Sequence, residues 1–357
     1  MKIMIRPTKD ADAARVVVTV TPNPAFDQTV RVAGLALGTV NQAESIEINA
    51  GGKGVNVAGC LADYGIKTVV TGLLGSEGSE AFETMFSEKC IDDRFVRIAG
   101  RTRTNVKLVD STRGQTTELN LATPRATAQD LAVLEARLAS LAAPGRWFVP
   151  AGSLPAGVDA DFYRRATRAL HKAGARVALD TSGAPLADVL GSNDPRELPD
   201  LVKPNREELA AVLGRSLDSR EALLDAAREL VARGVRLVAV SLGEQGALGV
   251  CATGSTELDG FHAAPLRVAV ASTVGAGDAF VAGLVASLVE GREWAEAGRR
   301  ATAFAAAKLA RVGPHLPDHA TLDAYAARVE LDTFTIATDG AVRPRAGGAA
   351  AETTWKH

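Results

Sequence analysis

The stretch "ASTVGAGDAFVAGLVASLVEG", which spans Ala271–Gly291, places a carboxylate between a glycine bend and an apolar run. The bend consists of Gly275, Ala276 and Gly277, the carboxylate is that of Asp278, and the apolar run predicts a buried helix. Asp278 is either an N-cap of this helix or a catalytic base beside an anion-binding helix N-terminus. On this stretch alone the cap is favoured.

The helix start also defines the chemistry that such a site is able to perform. The backbone N–H groups of Ala276, Gly277 and Asp278 are able to cradle the charge of a phosphoryl group in transfer. Asp278 is then able to accept the proton of an attacking hydroxyl, which needs only modest basicity when the transition state is loose. The positive helix end is expected to lower the pKa of Asp278, which weakens it as a base.

Outside this stretch, short β-branched runs alternate with longer helical patterns, which is typical of βαβ units. The sequence therefore predicts an α/β fold with a mostly parallel central sheet flanked by helices. Thr127 and Asp130 form a capping-box pattern at one helix start, and Asp218 is expected to cap another. The core strands are predicted within residues 15–22, 67–75, 146–152, 175–183, 201–205 and 235–243.

Two regions show period-two alternation instead, at residues 28–49 and 102–123. The second predicts a hairpin that turns at "DSTRG", where Gly114 is able to take a positive φ. Together the two regions predict a small antiparallel β lid, which suits either site closure or a dimer surface. A single α/β domain is expected over residues 15–335, and residues 336–357 are predicted to be a disordered tail.

The composition of the 357 residues, with 46% hydrophobic and 23% charged side chains, predicts a substantial core. A net charge of −2 gives no electrostatic reason to expect nucleic acid or an anionic membrane as partner. The three cysteines form no zinc-binding pattern, and no apolar helix candidate is long enough to span a bilayer. We therefore expect a soluble cytoplasmic protein.

A glycine-rich loop lies within "NAGGKGVNVAGCLADYG", residues 49–65. It is not a Walker A loop, because Lys53 is followed by Gly54 rather than by Ser or Thr, and it does not match the dinucleotide-binding pattern. It is either a tight strand-to-helix turn or a ligand-binding loop. Lys53 and Asn56 beside the glycines favour a site for a polar ligand.

Two further loops follow predicted strands. In "KPNREEL", residues 203–209, Asn205 and Glu208 fall on one side of a first helical turn and suit Mg²⁺ with its waters. An ordinary helix start explains the same pair equally well. In "VSLGEQGALGV", Gly243 and Gly246 form a loop that is able to lie along a nucleotide. Open α/β sheets have their ligand crevice at the ends of such strands.

The motifs "AGGKGVNVA" and "STVGAGDAFVAGL", with "GSLPAGV", "DTSG", "KPNREEL" and "SLGEQGAL" in order between them, resemble the signatures of the ribokinase-like (PfkB) carbohydrate kinases. The resemblance covers about Val16 to Arg328. "TPNPAFD", "TRTNVK", "GSLP" and Ser272 are most similar to the branch that phosphorylates phosphosugars.

The resemblance implies that Asp278 is the catalytic base and that Gly275, Ala276 and Gly277 form the anion hole. It implies substrate contacts from Asp27, Gly52, Lys53, Asn56, Arg103, Lys107 and Ser153. It implies contacts to ATP from Lys203, Asn205, Glu208, Ser241, Gly243 and Gly246, with Asn205 and Glu208 holding Mg²⁺ through water. Simpler structural roles stand beside some of these: Arg103 and Lys107 as lid residues that face water, Asp27 as a turn cap and Ser153 as a turn residue before Pro155.

The resemblance further implies ATP-dependent phosphorylation of fructose 1-phosphate at its 6-hydroxyl, giving fructose 1,6-bisphosphate. Fructose 6-phosphate and tagatose 6-phosphate remain alternative substrates, because the two ends of fructofuranose are nearly interchanged by a two-fold flip. A nucleoside or ribose kinase is another alternative, and a non-catalytic sugar-phosphate sensor is an alternative of a different class. A homodimer through the lid is also expected.

Overall fold

The computed structural model describes residues 15–121, 125–254, 256–311, 313 and 315–345. The strands within these residues are β1 (Val17–Thr21), β2 (Ala25–Val32), β3 (Ala43–Gly51), β4 (Thr68–Glu77), β5 (Asp92–Asp93), β6 (Val96–Arg101), β7 (Arg103–Asp110), β8 (Gln115–Asn120), β9 (Trp147–Pro150), β10 (Arg176–Leu179), β11 (Leu201–Val202), β12 (Leu237–Ser241), β13 (Ala247–Ala252), β14 (Leu258–Ala263), β15 (Leu331–Ile336) and β16 (Val342–Pro344). All six predicted core strands are present, as β1, β4, β9, β10, β11 and β12.

The central sheet has the strand order β16-β15-β14-β13-β12-β11-β10-β9-β1-β4-β5, and β6 also pairs with β4. The pairs from β12 through β11, β10, β9 and β1 to β4 are parallel, whereas β12 to β16 form an antiparallel meander. The carboxyl ends of the parallel strands therefore lie at one edge of the sheet. The predicted α/β fold with a mostly parallel central sheet is confirmed.

Helices pack on both faces of this sheet. They are α1 (Lys53–Asp63), α2 (Glu80–Glu88), α3 (Ala128–Leu141), α4 (Phe162–Lys172), α5 (Gly183–Leu190), α6 (Arg206–Leu213), α7 (Arg220–Arg233), α8 (Ala276–Val289), α9 (Trp294–Leu309) and α10 (His319–Arg328). Successive strand residues point to opposite faces, so Val18 packs in the core that contains α3 to α7, and Val17 in the core that contains α1, α8 and α9. No helix in the described ranges has the length and hydropathy of a membrane span.

The helix caps confirm one prediction and correct another. Thr127 and Asp130 form the expected capping box at the start of α3. The cap of α7 is Ser219, whose hydroxyl accepts a hydrogen bond from the backbone N–H of Ala222, so the prediction of Asp218 is wrong. Ser219 immediately precedes the first helical residue, whereas the Asp218 carboxylate accepts a hydrogen bond from Ser216.

The predicted lid is a separate four-stranded sheet of order β3-β2-β7-β8. Its two hairpins are antiparallel, and β2 and β7 join them in parallel register. Gly114 has the expected positive φ of 64° in the turn between β7 and β8. The lid strands begin earlier than predicted, at Ala25, and β3 continues to Gly51. The predicted residues 122 and 123 of the lid lie outside the described residues.

The last strand, β16, corrects the prediction of a disordered tail over residues 336–357. Val342 pairs with Ile336, and the backbone N–H of Ala337 donates to the carbonyl of Ala341. The "DG" dipeptide at Asp339 and Gly340, with a positive φ at the glycine, forms the turn. The tail prediction is therefore wrong for residues 337–345, and residues 346–357 lie outside the described residues.

Candidate active site

Two cavities meet at the N-terminus of α8. The smaller cavity, of about 360 Å³, lies between the lid and the turn before α8. The larger cavity, of about 1100 Å³, lies among the loops after β11 and β12 and the first turns of α8. Thr273 lines both cavities, Gly275 lines the smaller one, and Ala276 and Gly277 line the larger one. The glycine turn of the sequence therefore separates two spaces that are large enough for two substrates.

Asp278 is the third residue of α8, and only 7% of it is exposed. The N-cap position belongs to Gly275, and the Asp278 carboxylate accepts a hydrogen bond from Nδ2 of Asn56 at 2.8 Å. The interpretation of Asp278 as an N-cap is therefore wrong. Its carboxylate is instead held by Asn56, which lies in the first turn of α1.

Burial and, to a smaller extent, the neighbouring carboxylate of Asp180 raise the pKa of Asp278 to about 6. The hydrogen bond from Asn56 and the charges of Lys53 and Lys203 oppose this shift. The expectation that the helix end lowers the pKa is wrong, because the loss of solvation outweighs the helix dipole. Asp278 is ionised at neutral pH and is nevertheless more basic than an exposed aspartate.

Two glycines give the turn its shape. Gly275 has a φ of 76°, and a β-carbon there would lie 3.1 Å from Cε of Lys308. A β-carbon on Gly277 would meet no atom within 4 Å, so the backbone at this point faces open space. The N–H groups at the start of α8 are thus free of side-chain cover on the side of the larger cavity.

The glycine-rich loop before α1 packs closely on the strands beside it. A β-carbon would lie 2.4 Å from Oδ2 of Asp27 if placed on Gly51, and 2.3 Å from Oγ1 of Thr21 if placed on Gly54. Gly52 is the N-cap of α1, with a φ of 109°. This close approach requires glycine and brings the first turn of α1 to the site.

A buried carboxylate, Asp180, connects two of the predicted lysines. Its Oδ1 atom lies 3.1 Å from Nζ of Lys53 and 3.3 Å from Nζ of Lys203. Burial lowers the pKa of Lys53, but Asp180, Glu208 and Asp278 together outweigh it and raise the pKa. The three carboxylates therefore surround one ammonium group. Oδ2 of Asp180 is buried and has no hydrogen-bond partner among the described residues.

A chain of hydrogen bonds unites Arg103, Asp27 and Ser153. Arg103 donates from Nε to Oδ1 of Asn23 at 3.0 Å and from Nη1 to Oδ1 of Asn105 at 2.6 Å. Nδ2 of Asn105 donates to Asp27 at 3.1 Å, and Nδ2 of Asn23 donates to Ser153 at 2.9 Å. Burial lowers the pKa of Arg103, and Asp27 opposes this effect. Arg103 is thus not a solvated surface charge of the lid.

The inner face of the lid is polar and lines the smaller cavity. Lys107 lies on this face, so it does not merely face bulk water. Residues of the same face that the sequence analysis left out include Arg31, Glu47 and Glu118. Asp27 and Asn56 line the same cavity, whereas Arg103, Ser153, Gly52 and Lys53 are outside its lining. The predicted substrate residues therefore form two adjoining groups.

At the larger cavity, Asn205 and Glu208 form a capping box. Oδ1 of Asn205 accepts from the N–H of Glu208 at 2.7 Å, and Oε2 of Glu208 accepts from the N–H of Asn205 at 2.9 Å. Each side chain thus uses one oxygen to start α6, as the simpler interpretation expects. No group of three or more His, Cys, Asp or Glu side chains that could hold a metal occurs within the described ranges.

The predicted nucleotide residues divide between the cavity and the core. Asn205, Ser241, Gly243 and Gly246 line the larger cavity, whereas Lys203 is buried beneath it against Asp180. Further candidate site residues that sequence reasoning missed are Asn23, Asn105, Asp180 and Lys308. Asn23 and Asn105 stand within the quoted motifs "TPNPAFD" and "TRTNVK", and Asp180 within "DTSG". Lys308 has a different signal, since it is the one charge in the run "ATAFAAAKLA" of residues 301–310.

Known proteins that are similar to this chain are carbohydrate kinases. The model of the pfkB family of carbohydrate kinases matches residues 20–320, which include every residue that lines the two cavities. A 1-phosphofructokinase of Rhodobacter capsulatus is 45% identical over 319 residues, covering 89% of this chain and 98% of the relative. One of Xanthomonas campestris pv. campestris is 44% identical over 293 residues, covering 82% and 90%. The crystal structure of phosphofructokinase-2 from Escherichia coli in complex with potassium superposes with a TM-score of 0.79 at 27% identity, covering 87% and 98%.

Proposed function

Because this chain belongs to the pfkB family of carbohydrate kinases, we propose that it transfers the γ-phosphoryl group of ATP to the 6-hydroxyl of fructose 1-phosphate. The product is fructose 1,6-bisphosphate. The relatives from Rhodobacter and Xanthomonas are 1-phosphofructokinases, which supports this substrate. The observation that carries the mechanism is the buried carboxylate of Asp278 at the start of α8, where the two cavities meet.

In the proposed reaction, the 6-oxygen of the sugar forms a bond to the γ-phosphorus while the bond to the β–γ bridging oxygen breaks. ADP leaves, and the proton of the hydroxyl passes to Asp278. A pKa of about 6 supports this role, because the carboxylate is ionised at neutral pH and still accepts a proton readily. The carboxylate accepts a hydrogen bond from Asn56, which itself lines the smaller cavity.

The anion hole is formed in our proposal by Gly275, Ala276 and Gly277. The N–H groups of the first turn of α8 carry partial positive charge and have no helical acceptors of their own. The charge that develops on the phosphoryl oxygens in the transition state would be stabilised there, in a site with little water. The open space beside Gly277 supports this role.

Arg103 is proposed to bind the phosphate that the sugar already carries. Its described hydrogen-bond partners are the neutral side chains of Asn23 and Asn105, so a half-buried guanidinium keeps its charge for an anion. A guanidinium is able to bind two phosphate oxygens at once. Ser153, which is linked to Arg103 through Asn23, and Lys53 are proposed as further phosphate ligands, and Lys107 would approach the sugar from the lid. A kinase of neutral sugars would not need this group.

The hydroxyls of the sugar are proposed to bind Asp27, Asn56 and the backbone at Gly52. Asp27 and Asn56 line the smaller cavity. Oδ1 of Asp27 accepts a hydrogen bond from Asn105, and Nδ2 of Asn56 donates one to Asp278. Their remaining polar atoms are suited to sugar hydroxyls. Gly51 lets the backbone approach Asp27 so closely that the carboxylate is fixed in position.

Kinases of this family use ATP, and we propose the larger cavity as its site. Ser241, Gly243 and Gly246 would lie along the nucleotide. Lys203 is buried and paired with Asp180, so it would act on the nucleotide through that carboxylate. Because ATP is the co-substrate, we propose the cytoplasm as the compartment of this reaction.

Mg²⁺ is proposed to bind through water near Asn205 and Glu208. Both side chains provide hard oxygen donors, and each has already used one oxygen in the capping box, which suits contacts through water. A third oxygen that fits a hydrated cation is Oδ2 of Asp180, which has no hydrogen-bond partner among the described residues. Asp180 and Glu208 both act electrostatically on the ammonium group of Lys53. The ion would neutralise charge on the phosphates of ATP.

A homodimer through the lid is a further part of the proposal. Ile46, Ile48, Leu119 and Leu121 on the outer face of the lid are between 51% and 58% exposed. Successive side chains of a strand point to opposite faces of the sheet, so polar residues of the lid lie on its inner face and these apolar residues lie on its outer face. Several exposed apolar residues on one face of a sheet are typical of a surface that pairs with another protein.

The substitution Asp278→Asn tests the proposed mechanism. It retains the shape of the side chain and removes the base, so we expect kcat with ATP and fructose 1-phosphate to fall about 10²- to 10⁴-fold. KM values should change little, because the carboxylate acts mainly in the transition state. A variant with kcat within tenfold of wild type would contradict the role of Asp278. A wild-type protein that binds fructose 1-phosphate without turning over ATP would favour the sensor alternative.

A further inference from the structure

Lys308 is a buried lysine at the active site that the proposed mechanism leaves without a role. It is the penultimate residue of α9, and only 7% of it is exposed. It lines the smaller cavity together with Asn56 and Gly275. Its Cε atom lies so close to Gly275 that a β-carbon there would approach it to 3.1 Å. A lysine at this depth carries a large desolvation cost, which calls for a specific counterpart.

The end of α9 supports the glycine turn through the backbone. The carbonyl of Leu309 accepts hydrogen bonds from the N–H groups of Ala271 and Ser272, at 2.8 and 3.2 Å. Nζ of Lys308 donates to the carbonyl of Gly313, in the segment that follows α9. The last turn of α9 therefore binds Ala271 and Ser272, which lead into the glycine turn, and Gly313, which follows the helix.

The position of the last turn of α9 relative to Asp278 is fixed by the contact between α8 and α9. A β-carbon on Gly283 would lie 2.6 Å from Cα of Ala301, so the two helix backbones are in direct contact. Such close backbone packing leaves little freedom for the helices to slide. Lys308 is accordingly held at a constant place beneath the first turn of α8.

The ionisable groups that face Lys308 are Cys60 and Asp63 of α1, Lys89 after α2, and Asp278 of α8. Burial raises the pKa of Cys60 to about 12, so its thiol is neutral at physiological pH. Asp63 already accepts hydrogen bonds from Lys89 and from the N–H of Leu316. The carboxylate that remains to balance the Lys308 ammonium is that of Asp278.

We propose that Lys308 is a positioning residue for phosphoryl transfer, whose ammonium group supports the turn at Gly275–Gly277 and adds a positive charge that acts on Asp278 beside those of Lys53 and Lys203. This inference rests on the proposed kinase function and deepens it. An ammonium in this place holds the N–H groups of the anion hole in register and favours the charged form of the base.

Lys308→Met tests the proposal, because methionine has a similar length and no charge. We expect kcat with ATP and fructose 1-phosphate to fall about 100-fold, while KM for each substrate stays within about threefold. Loss of the cation raises the pKa of Asp278, so the acid limb of the pH profile of kcat should move to higher pH by about half a unit or more. Lys308→Arg keeps the charge and should restore the position of the acid limb.

Lys89→Met is the matched control, since it removes a second buried lysine of the same group that lines neither cavity. It should lower the melting temperature and leave kcat and the acid limb unchanged. If Lys308→Met does not fold, Lys308→Gln, which keeps a donor for Gly313, serves for the same comparison.

Two results would overturn the role of Lys308. One is an uncharged variant with kcat within about threefold of wild type. The other is a variant whose kcat falls while the acid limb stays in place, which indicates a structural role only. Wild-type protein is assayed in parallel: if it does not phosphorylate fructose 1-phosphate, the proposed function fails and this inference fails with it, whereas an active wild type beside an unaffected variant counts against Lys308 alone.

Discussion

The burial that suits Asp278 to its proposed role as base also destabilises the folded protein. Its pKa is about 6 in the folded state, against an ordinary value of 3.8. The folded state therefore binds more protons than the unfolded state between these values, and stability falls as the pH rises through them. A shift of about two units corresponds to about 3 kcal/mol above pH 6. Catalytic groups are commonly placed at such a cost.

Asp278→Asn should consequently raise the free energy of unfolding while it abolishes activity. We expect a gain of up to about 3 kcal/mol at pH 8, and a much smaller gain near pH 4, where the wild-type carboxyl is protonated. Chemical denaturation of both proteins at the two pH values measures the difference.

Asp110→Asn is the matched control for this measurement. Its carboxylate accepts hydrogen bonds from the backbone N–H groups of Gly34, Leu35, Thr112 and Arg113, so the same substitution should lower stability. A less stable Asp278→Asn protein at pH 8, or a gain that is equal at both pH values, would be incompatible with the burial of an ionised Asp278.

The residues that sequence reasoning finds at the site are those with a local signal. Gly275 to Asp278 stand out because a side-chain-free bend precedes an apolar helix. The partners of these residues come from distant parts of the chain: Asn56 is 222 residues from Asp278, and Asn23 is 130 from Ser153. The direction of the Asp278 pKa shift also depends on burial and on Asp180, neither of which is local. For this reason the sequence predicted it wrongly.

At the scale of elements, local patterns predicted the core strands, the capping box of α3 and the turn at Gly114. Each depends on side-chain alternation or on cap chemistry within a few residues. The parallel pairing of β2 with β7 and the addition of β16 to the sheet depend on contacts between separate segments. These were the features of the lid and of the chain end that the sequence did not predict.

The loop after β12 provides a prediction at this scale. Gly246 has a φ of 86°, and a β-carbon there would lie 2.0 Å from the carbonyl oxygen of Ala263. Gly246→Ala should displace the loop, raise KM for ATP about tenfold or more and lower stability by more than about 2 kcal/mol.

Gly254→Ala is the control for the backbone strain. Gly254 also has a positive φ, of 78°, but a β-carbon there would meet no atom within 4 Å. It should cost about 1–2 kcal/mol and leave KM for ATP unchanged. Equal KM values for the two variants would show that the loop at Gly246 does not bind the nucleotide.

At the scale of the whole molecule, we propose a different role for each of the two faces of the lid. Its polar inner face lines the smaller cavity, and its apolar outer face is proposed to pair with a second copy of the chain. Ile46→Lys together with Leu119→Lys should convert a dimer into a monomer in sedimentation velocity, because two charges would be buried at the interface. Val342→Lys, at an exposed apolar residue of β16, is the control that should leave the dimer intact. A wild-type monomer, or a double variant that remains dimeric, would rule out this interface.

The family could be recognised at the same scale because several motifs occur together, and their order along the chain is itself specific. The residues alone did not identify which phosphosugar is the substrate. It depends on which hydroxyls meet Asp27 and Asn56 in a cavity formed by five separate segments of the chain. The resemblance and the relatives supply the assignment to fructose 1-phosphate.

The most direct test of the central claim is kcat/KM with ATP for fructose 1-phosphate, fructose 6-phosphate, tagatose 6-phosphate and free fructose, in wild type and in Arg103→Met. We predict that fructose 1-phosphate exceeds the other sugars by about tenfold or more. Arg103→Met should lower kcat/KM for the phosphosugars about 100-fold and leave the low value for fructose unchanged. A preference for fructose 6-phosphate or tagatose 6-phosphate would contradict the substrate assignment. Efficient phosphorylation of free fructose that Arg103→Met does not affect would contradict the phosphosugar site itself.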